Sequence, residues 1–528
     1  MGVEKPFELT MNLLLAIISG VLTAVSFPTA IAGFKFPNLG FLAWFSLAPL
    51  FFAIRDKRPR QAFLLTFVAS VIYYGVSLYW IYNVMEKYGG LPSYASVSVL
   101  ALLVLMLSMF ISFAPMASAW ISGRLGIDKF WTLPLIWVAL EFARNYFPCN
   151  GFPWSNITNS QYAYLPVIQI TDVVGIYGLT FVMIAVNYAA TYLGQHGGWG
   201  KKCFALLLVL VVLIYGYYRV FDISVKQERW PSMKVALLQG NIAQEMKWRP
   251  GQEEGEVAPY VKYTQMLKDS GANLIIWPES GFPWPISEST ENLPPRALGL
   301  EPEKDSINKF LLFGALTNTS KPGDAPEFRN LYNSMYLADT NGNILGRYHK
   351  MHLVPFGEYV PYKKALFFIK KMVAPIGNFA AGSDARPLFT DGYQLGGLIC
   401  YEDIFPEIAR KMSANGANIL TAITNDAWFG NTSAPYQHLA ISVFRAVENR
   451  RWLVKAANTG VSAVVDATGR VISKTGIFEQ GMIVSQVRLS NGETIYGKYG
   501  DFFAWACSLA FVLLLLMVTY DKFKRAKK

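Results

Sequence analysis

Along the first 222 residues apolar side chains come in long, nearly uncharged blocks, near 11–27, 40–54, 61–85, 96–122, 131–146, 167–193 and 203–222, and one more lies near 502–520. Such blocks predict transmembrane helices, because about 20 residues of helix cross the hydrocarbon of a bilayer. The block at 131–146 is short and carries Glu141 and Arg144, so its place among the spans rests partly on closing the topology. The first block is long and lacks a small-residue cleavage signature, and it reads as a retained span. Between 223 and 500 the pattern changes. Short apolar runs recur at 234–239, 273–277, 310–314, 334–338, 395–399, 418–423, 453–457 and 462–465, with helical patterns at 255–269 and 435–450. These predict an α/β domain with a large central sheet. The Asp-Thr-Asn-Gly run ending at Gly342 and the Asp-Ala-Thr-Gly run ending at Gly469 signal turns, so hairpins accompany any parallel core. The expected organisation is a membrane domain of seven helices at 1–222, an α/β domain at 223–500, and an eighth helix with a basic tail at 501–528.

Composition agrees with this division: of 528 residues 53% are hydrophobic and only 16% charged, too apolar for an ordinary soluble protein. The net charge of +11 is mostly a topology signal. Arg55, Lys57, Arg58 and Arg60 follow the second block, Arg124 and Lys129 the fourth, Lys201 and Lys202 the sixth, and Lys522, Lys524, Arg525, Lys527 and Lys528 form the tail. Cations in short loops stay on the cytoplasmic side, which puts both termini inside and 223–500 outside. No nucleic-acid partner is implied. His196, His349, His352 and His438 lack metal-ligand spacing and no glycine-rich phosphate loop is present, so neither a metal nor another cofactor is expected. Four cysteines are too few for a disulfide framework. Cys203 and Cys507 fall in apolar blocks, while Cys149 and Cys400 face the oxidising side, where a disulfide between them is the plain reading. A bridge would consume a thiol that the chemistry below needs, so Cys400 is expected to be free.

Three polar residues each close an apolar run. Cys400 ends Gly396-Gly397-Leu398-Ile399 and is followed by Tyr401 and Glu402; Glu279 follows Trp277 and Pro278; Lys350 follows Arg347-Tyr348-His349. A free thiol is only a few per cent thiolate near neutrality, so a nucleophilic cysteine needs a base or a nearby cation. Glu279 can take the proton, and Lys350 can stabilise the thiolate and the oxyanion of a tetrahedral intermediate. The backbone N–H of Tyr401, where strand turns toward helix, is a second oxyanion donor. Taken singly, Cys400 reads as a small buried hydrophobe, Glu279 as a surface carboxylate and Lys350 as a solvated hairpin cation. Together, in an order that fits one mechanism, they point to acyl transfer.

In that chain order the three resemble the Glu, Lys, Cys triad of the carbon–nitrogen hydrolase (nitrilase) superfamily, whose fold is a four-layer α-β-β-α sandwich. Longer motifs resemble the bacterial apolipoprotein N-acyltransferases: the runs 240–248, 348–361 and 425–430, Trp277-Pro278-Glu279-Ser280, Ile399-Cys400-Tyr401-Glu402, and in the membrane part Trp137, Glu141, Arg144 and Gly151-Phe152-Pro153-Trp154. The resemblance covers nearly the whole chain and implies eight spans with a nitrilase-like domain on the periplasmic face of the inner membrane. It makes Glu279 the general base, Lys350 the oxyanion and thiolate stabiliser and Cys400 the nucleophile, with Glu358, Glu402, Tyr401 and Trp248 supporting them. Glu358 would hold Lys350 charged and Glu402 would brace the turn; Trp248 and Tyr401 would wall the thioester or lipid. The implied reaction is ping-pong: a membrane phospholipid acylates Cys400, and the α-amine of an S-diacylglyceryl cysteine on an apolipoprotein takes the acyl chain. A monomer suffices for this chemistry.

Trp428, Asn425, Glu141 and Arg144 are candidate substrate or lipid contacts, with ordinary packing the rival reading for Trp428 and Trp248 and a structural ion pair the rival for Glu141 and Arg144. The apolar stretches 365–369 and 372–376 are candidates for loops that dip into the membrane, or for core. Two other readings stay open: a membrane-tethered amidase or nitrilase that hydrolyses a small amide, and a transporter or receptor with a degenerate outer domain.

Overall fold

The computed structural model describes residues 6–31, 34–247, 249–300, 309–319, 331–362, 379–390 and 392–526. The chain divides into two compact units, one of Met1–Tyr82, Leu91–Val220 and Tyr499–Lys528 and one of Asn83–Gly90 and Phe221–Lys498. The short piece Asn83–Gly90, assigned to the membrane domain by hydropathy, belongs to the second unit.

Among the described residues, five helices are long and apolar enough to cross a bilayer: Phe7–Val25, Ser93–Leu125, Thr171–Ala190, Trp199–Gln227 and Phe502–Arg525. Pro59–Ser77 continued by Trp80–Tyr88 across a 49° bend makes a sixth. The blocks at 40–54 and 131–146 take shorter forms than the eight-helix expectation assumed. The first is a 3-10 turn, Gly40–Trp44, followed by the helix Ala48–Ile54. The second is the helix Lys129–Ala143, whose 15 residues reach roughly 22 Å at 1.5 Å per residue. Hydropathy sees composition and is blind to where a backbone ladder stops. The stop at 45–47 is made tolerable by Asn187, whose Oδ1 accepts from Leu47 N (2.8 Å) while its Nδ2 donates to Ala43 O and Met183 O (2.9 Å each). Interrupted backbone survives within a membrane only where such partners exist.

The second unit holds two mixed sheets, where the pattern of runs alone suggested one large sheet and the family resemblance implied two. In one, Ser232–Gln239, Leu274–Ile276 and Phe310–Asn318 run parallel, Gly481–Arg488 joins outside the first, and Leu331–Ala338 and Ile344–His349 add antiparallel beyond the last. In the other, Tyr393–Ile399, Ile419–Thr424 and Leu453–Ala457 run parallel, flanked by Leu388–Thr390, Ala463–Val465 and Val471–Lys474. The two turn signals join Leu331–Ala338 to Ile344–His349 and Ala463–Val465 to Val471–Lys474. Ile419–Thr424 and Leu453–Ala457 are buried at every position, the pattern of parallel strands covered on both faces. The helix Glu253–Met266 lays Val257 and Tyr260 on the first sheet, against Ala236, Leu238, Trp277, Phe313 and Tyr336. The strands Val471–Lys474 and Gly481–Arg488 were not read from sequence, because they alternate buried and exposed positions at sheet margins.

The sheets meet face to face at Gly397. A Cβ there would lie 3.0 Å from the Tyr348 ring and 3.1 Å from Met335 Sδ, both on the opposite sheet, so the glycine sets how closely the two layers approach. Replacing Gly397 by Val should cost about 1–3 kcal/mol through overpacking and lower the unfolding temperature in detergent. An unchanged melting curve would show that the sheets do not close on this glycine.

Candidate active site

Strand ends converge on this seam. Glu279 lies just past Leu274–Ile276, Cys400 directly after Tyr393–Ile399, Asn425 after Ile419–Thr424 and Asn458 after Leu453–Ala457, all at the C-terminal ends of parallel strands. That is where open parallel sheets present their loops. Lys350 follows Ile344–His349 from the antiparallel side. Cys400 opens the 3-10 turn Cys400–Ile404 with φ 53°, and Ser280 has φ 52°. A β-carbon in the left-handed region costs on the order of 1–3 kcal/mol and persists only where the surroundings enforce it.

Lys350 is 1% exposed, and its Nζ donates to Glu358 Oε1 at 3.0 Å and stands 3.7 Å from Glu279 Oε1. Burial works against its charge, but the carboxylates of Glu358 and Glu279 outweigh it and hold the ammonium above the ordinary lysine range. Asn333 ties these carboxylates together, its Nδ2 donating to Glu279 Oε1 (2.7 Å) and Glu358 Oε1 (3.0 Å). Glu358 Oε2 accepts from Val354 N (2.8 Å), and Glu279 Oε2 accepts from Asn425 N (2.8 Å). Every carboxylate oxygen of the pair has a donor.

Burial pushes the Cys400 thiol well up and Glu279 adds to it, while Lys350 and the Thr424 hydroxyl act to lower it. None of the four cysteines is in a disulfide, and Cys400 is partly exposed. Glu402, fully buried, does not face the thiol. Its Oε1 accepts from Tyr348 Oη (2.7 Å), Met351 N (2.7 Å) and His352 N (3.1 Å), and its Oε2 accepts from Ile399 N (2.8 Å), binding the turn that carries Cys400 to the strand that delivers Lys350. Burial lifts this carboxyl to about 7 against the pull of those donors. Tyr401 is buried with its ring edge-on to Phe405 at 5.2 Å between centroids. Trp248 lies outside the described residues, as do the apolar stretches 365–369 and 372–376.

Asn425, a candidate lipid contact from sequence, hydrogen-bonds the Glu279 carboxylate. Besides its N–H on Glu279, its Nδ2 donates to Gln244 Oε1 (2.8 Å) and its Oδ1 accepts from Asn458 Nδ2 (3.0 Å). Trp428 is half-buried and meets the edge of Tyr88 at 5.6 Å, and Lys87 pairs with Glu245 at 2.9 Å, so the turn Val84–Tyr88 grips two loops of the site. Glu141 and Arg144 lie in the membrane unit and take separate partners there. Glu141 accepts from Thr180 Oγ1 (2.8 Å), while Arg144 donates to Tyr74 Oη (2.6 Å) and to Asn156 Oδ1. Beside them a cavity of about 30 Å³, lined by Ser19, Thr23, Ser70, Trp137, Glu141 and Ser155, has room for a water or two.

Sequence reasoning missed Asn333, Gln244, Asn458 and Lys247. Lys247 is buried, its Nζ near Ser280 O (3.2 Å) and Glu279 O (3.4 Å), and desolvation lowers it to about 8. Gln244 and Lys247 lie in the motif run 240–248 but were given no role, and nothing local marks Asn333 or Asn458, because each acts on a strand end distant in sequence.

The comparisons with known proteins follow the same division of the chain. Residues 19–189 match the family "Apolipoprotein N-acyltransferase N-terminal domain" and residues 234–495 match "Carbon-nitrogen hydrolase". The apolipoprotein N-acyltransferase of Geobacter metallireducens is 40% identical over 94% of this chain and 92% of its own length. That of Methylococcus capsulatus is 32% identical over 93% and 92%. Among solved structures, an amidase from Nesterenkonia sp. aligns at 23% identity and TM-score 0.34, covering 52% of this chain and 95% of that one. With these relatives matched along nearly its full length, the chain belongs to the apolipoprotein N-acyltransferases, membrane acyltransferases of the nitrilase superfamily.

Proposed function

We propose that the acyl donor is a membrane phospholipid and that Cys400 carries the acyl chain as a thioester to the N-terminal amine of a diacylglyceryl apolipoprotein. The observation that carries this is the Lys350 ammonium, buried between the carboxylates of Glu279 and Glu358 beside a strand-end thiol. In the first half, Glu279 takes the Cys400 proton, sulfur bonds to the ester carbonyl carbon, Lys350 and the Tyr401 N–H hold the oxyanion, and the lysophospholipid alkoxide leaves with the proton from Glu279. In the second half the amine attacks the thioester, a C–N bond replaces C–S, and Glu279 passes the amine proton to the sulfur. Trp248, Tyr401 and Trp428 would wall the acyl chain. Hydrolysis of a small amide is not favoured, since water-soluble substrates give a polytopic membrane unit no purpose. A two-chain lipid does, because moving one into water costs about 0.8 kcal/mol per CH₂.

The catalytic unit is assigned to the periplasmic side of the inner membrane and both termini to the cytoplasm. Counting the six long or bent candidates gives five spans before residue 221. Adding the two shorter apolar helices, 40–54 and 129–143, gives seven. Either count is odd, so either sends that unit to the face opposite the N-terminus. Only the seven-span count puts Arg55, Lys57, Arg58 and Arg60, Lys201 and Lys202, and the tail on one face, and their clustering supports that face as the cytoplasmic one.

Intact enzyme mixed with a defined phospholipid should gain the mass of one acyl chain on Cys400, and Cys400→Ser should gain none and lose apolipoprotein acylation. Full acylating activity in that variant would overturn the mechanism. Replacing Lys350 by Met removes the cation that lowers the thiol, so the acid limb of acylation should move to higher pH. It should also slow acylation at neutral pH by about 10²- to 10³-fold, the loss usual for one oxyanion donor. A proportional loss at every pH would mean that Lys350 serves the oxyanion alone.

A further inference from the structure

Close to Cys400, and separate from the Glu279, Lys350 and Glu358 group, lies a second buried charge cluster that the reaction as written does not use. Asp403 sits in the turn headed by Cys400, and Asp426 heads the turn after Ile419–Thr424. His438, on the helix Ala434–Asn449, bridges them: Nε2 is 2.6 Å from Asp403 Oδ1 and Nδ1 is 3.0 Å from Asp426 Oδ1. Lys455 Nζ donates to Asp403 Oδ2 at 2.6 Å, and Ser442 Oγ donates to the same oxygen at 2.7 Å. All of these residues are at most 1% exposed.

Carboxylates only accept hydrogen bonds, so a histidine facing one from each ring nitrogen carries both protons and a positive charge. Burial opposes that charge, but Asp403 and Asp426 prevail and raise the imidazole to about 9. Two carboxylates, one imidazolium and one ammonium sum to zero. The balance matters to the thiol because Asp426 is the member that reaches it: its negative charge raises Cys400, and Thr424 Oγ1, which donates to Asp426 Oδ1 at 2.7 Å, is the hydroxyl that also bonds the cysteine. Gly460 permits this placement, since a Cβ there would fall 2.2 Å from Asp426 Oδ2.

We propose that His438 is a positioning residue for acyl transfer, cancelling the charge of Asp426 near Cys400 so that the thiolate forms against Lys350 without a second carboxylate opposing it. This rests on Cys400 being the nucleophile. The charged groups acting on the thiol are then Glu279, Lys350 and Asp426. Those facing His438 are Asp403, Asp426 and Lys455, drawn from both turns and from the strand Leu453–Ala457. Removing the imidazolium leaves an excess negative charge near the thiol. Removing the Asp426 charge does the opposite, and Asp426→Asn is mild, because Oδ1 keeps both its donors while the amide nitrogen replaces Oδ2, which has no partner.

The test is the rate of Cys400 alkylation by iodoacetamide against pH, read on the Cys400 peptide by mass spectrometry, in the full-length enzyme in detergent. It reports the thiol whether or not phospholipid is the donor, so it fails separately from the acyl-transfer reading. His438→Gln should move the midpoint up by about one pH unit and Asp426→Asn should move it down by about as much. The double variant should return close to wild type. Coincident midpoints, or both single variants shifting the same way, overturn the proposal. If His438→Gln does not accumulate as folded protein, Asp426→Asn decides alone, and a midpoint that stays put or rises overturns it.

Discussion

The structure of the site depends on one constraint: the Lys350 ammonium is buried and has to be matched there by negative charge. Taking such an ion out of water costs several kcal/mol, repaid only when its partners are close and themselves hydrogen-bonded. Glu358 at 3.0 Å and Glu279 at 3.7 Å supply the charge, and removing one partner from a buried pair costs about 3–5 kcal/mol. Each acid then needs its own donors. Asn333 supplies both, Val354 N–H supplies Glu358, and Asn425 N–H supplies Glu279. Those donors come from strand ends on two sheets, so the requirements of a single cation dictate that the sheets close against each other where Gly397 lets them.

Glu402 serves the same closure from the opposite side of the turn. It takes the Ile399 N–H at the end of the nucleophile strand together with the Tyr348, Met351 and His352 donors around Lys350. The Ile399 N–H is the one donor given above for Oε2, so losing that bond would strand a buried acceptor. The left-handed backbone of Cys400 is therefore held by bonds made two residues away, and the thiol itself stays free of structural duty. This division separates the residue that reacts from the residues that bear strain. It also accounts for the position of Glu402 next to Cys400 in sequence, which a direct catalytic role does not need.

How much of this was legible in the sequence follows from the range of each interaction. Glu279, Lys350 and Cys400 each end an apolar run, a local mark, and the turns ending at Gly342 and Gly469 are local too. The family resemblance implied two sheets, but which strand joins which was not legible in the runs, because parallel neighbours such as Tyr393–Ile399 and Ile419–Thr424 pair across an intervening helix and leave no adjacent signature. Asn333 was missed because an asparagine near a strand start looks like any other polar position until the sheet brings Glu279 and Glu358 to it. Asn425 was noticed for its motif, but its bonds to Glu279, Gln244 and Asn458 were not foreseen. His438 was set aside when tested against metal spacing, a test that asks for several ligands at one point and has no sensitivity to an imidazole between two carboxylates. In the membrane unit, hydropathy found the apolar blocks but not the break repaired by Asn187.

The acyl transfer proposed for this site asks one more thing, that a thioester on Cys400 outlast water and still meet an amine. The arrangement around Glu279 bears on both. Its oxygens are occupied by Asn333 and Asn425, and the carboxylate is only 6% exposed, so water has little access to the group that would activate it. An attacking amine brings its own proton donor and its own nucleophilicity, and needs the base only as the C–N bond forms. A site that starves water of a base while leaving one for an amine already close to the sulfur favours aminolysis over hydrolysis. Supply of that amine is then the remaining requirement, and a lipid-anchored acceptor satisfies it by concentration in the same membrane: confined to two dimensions, it reaches the thioester at a far higher effective concentration than a free amine in solution would.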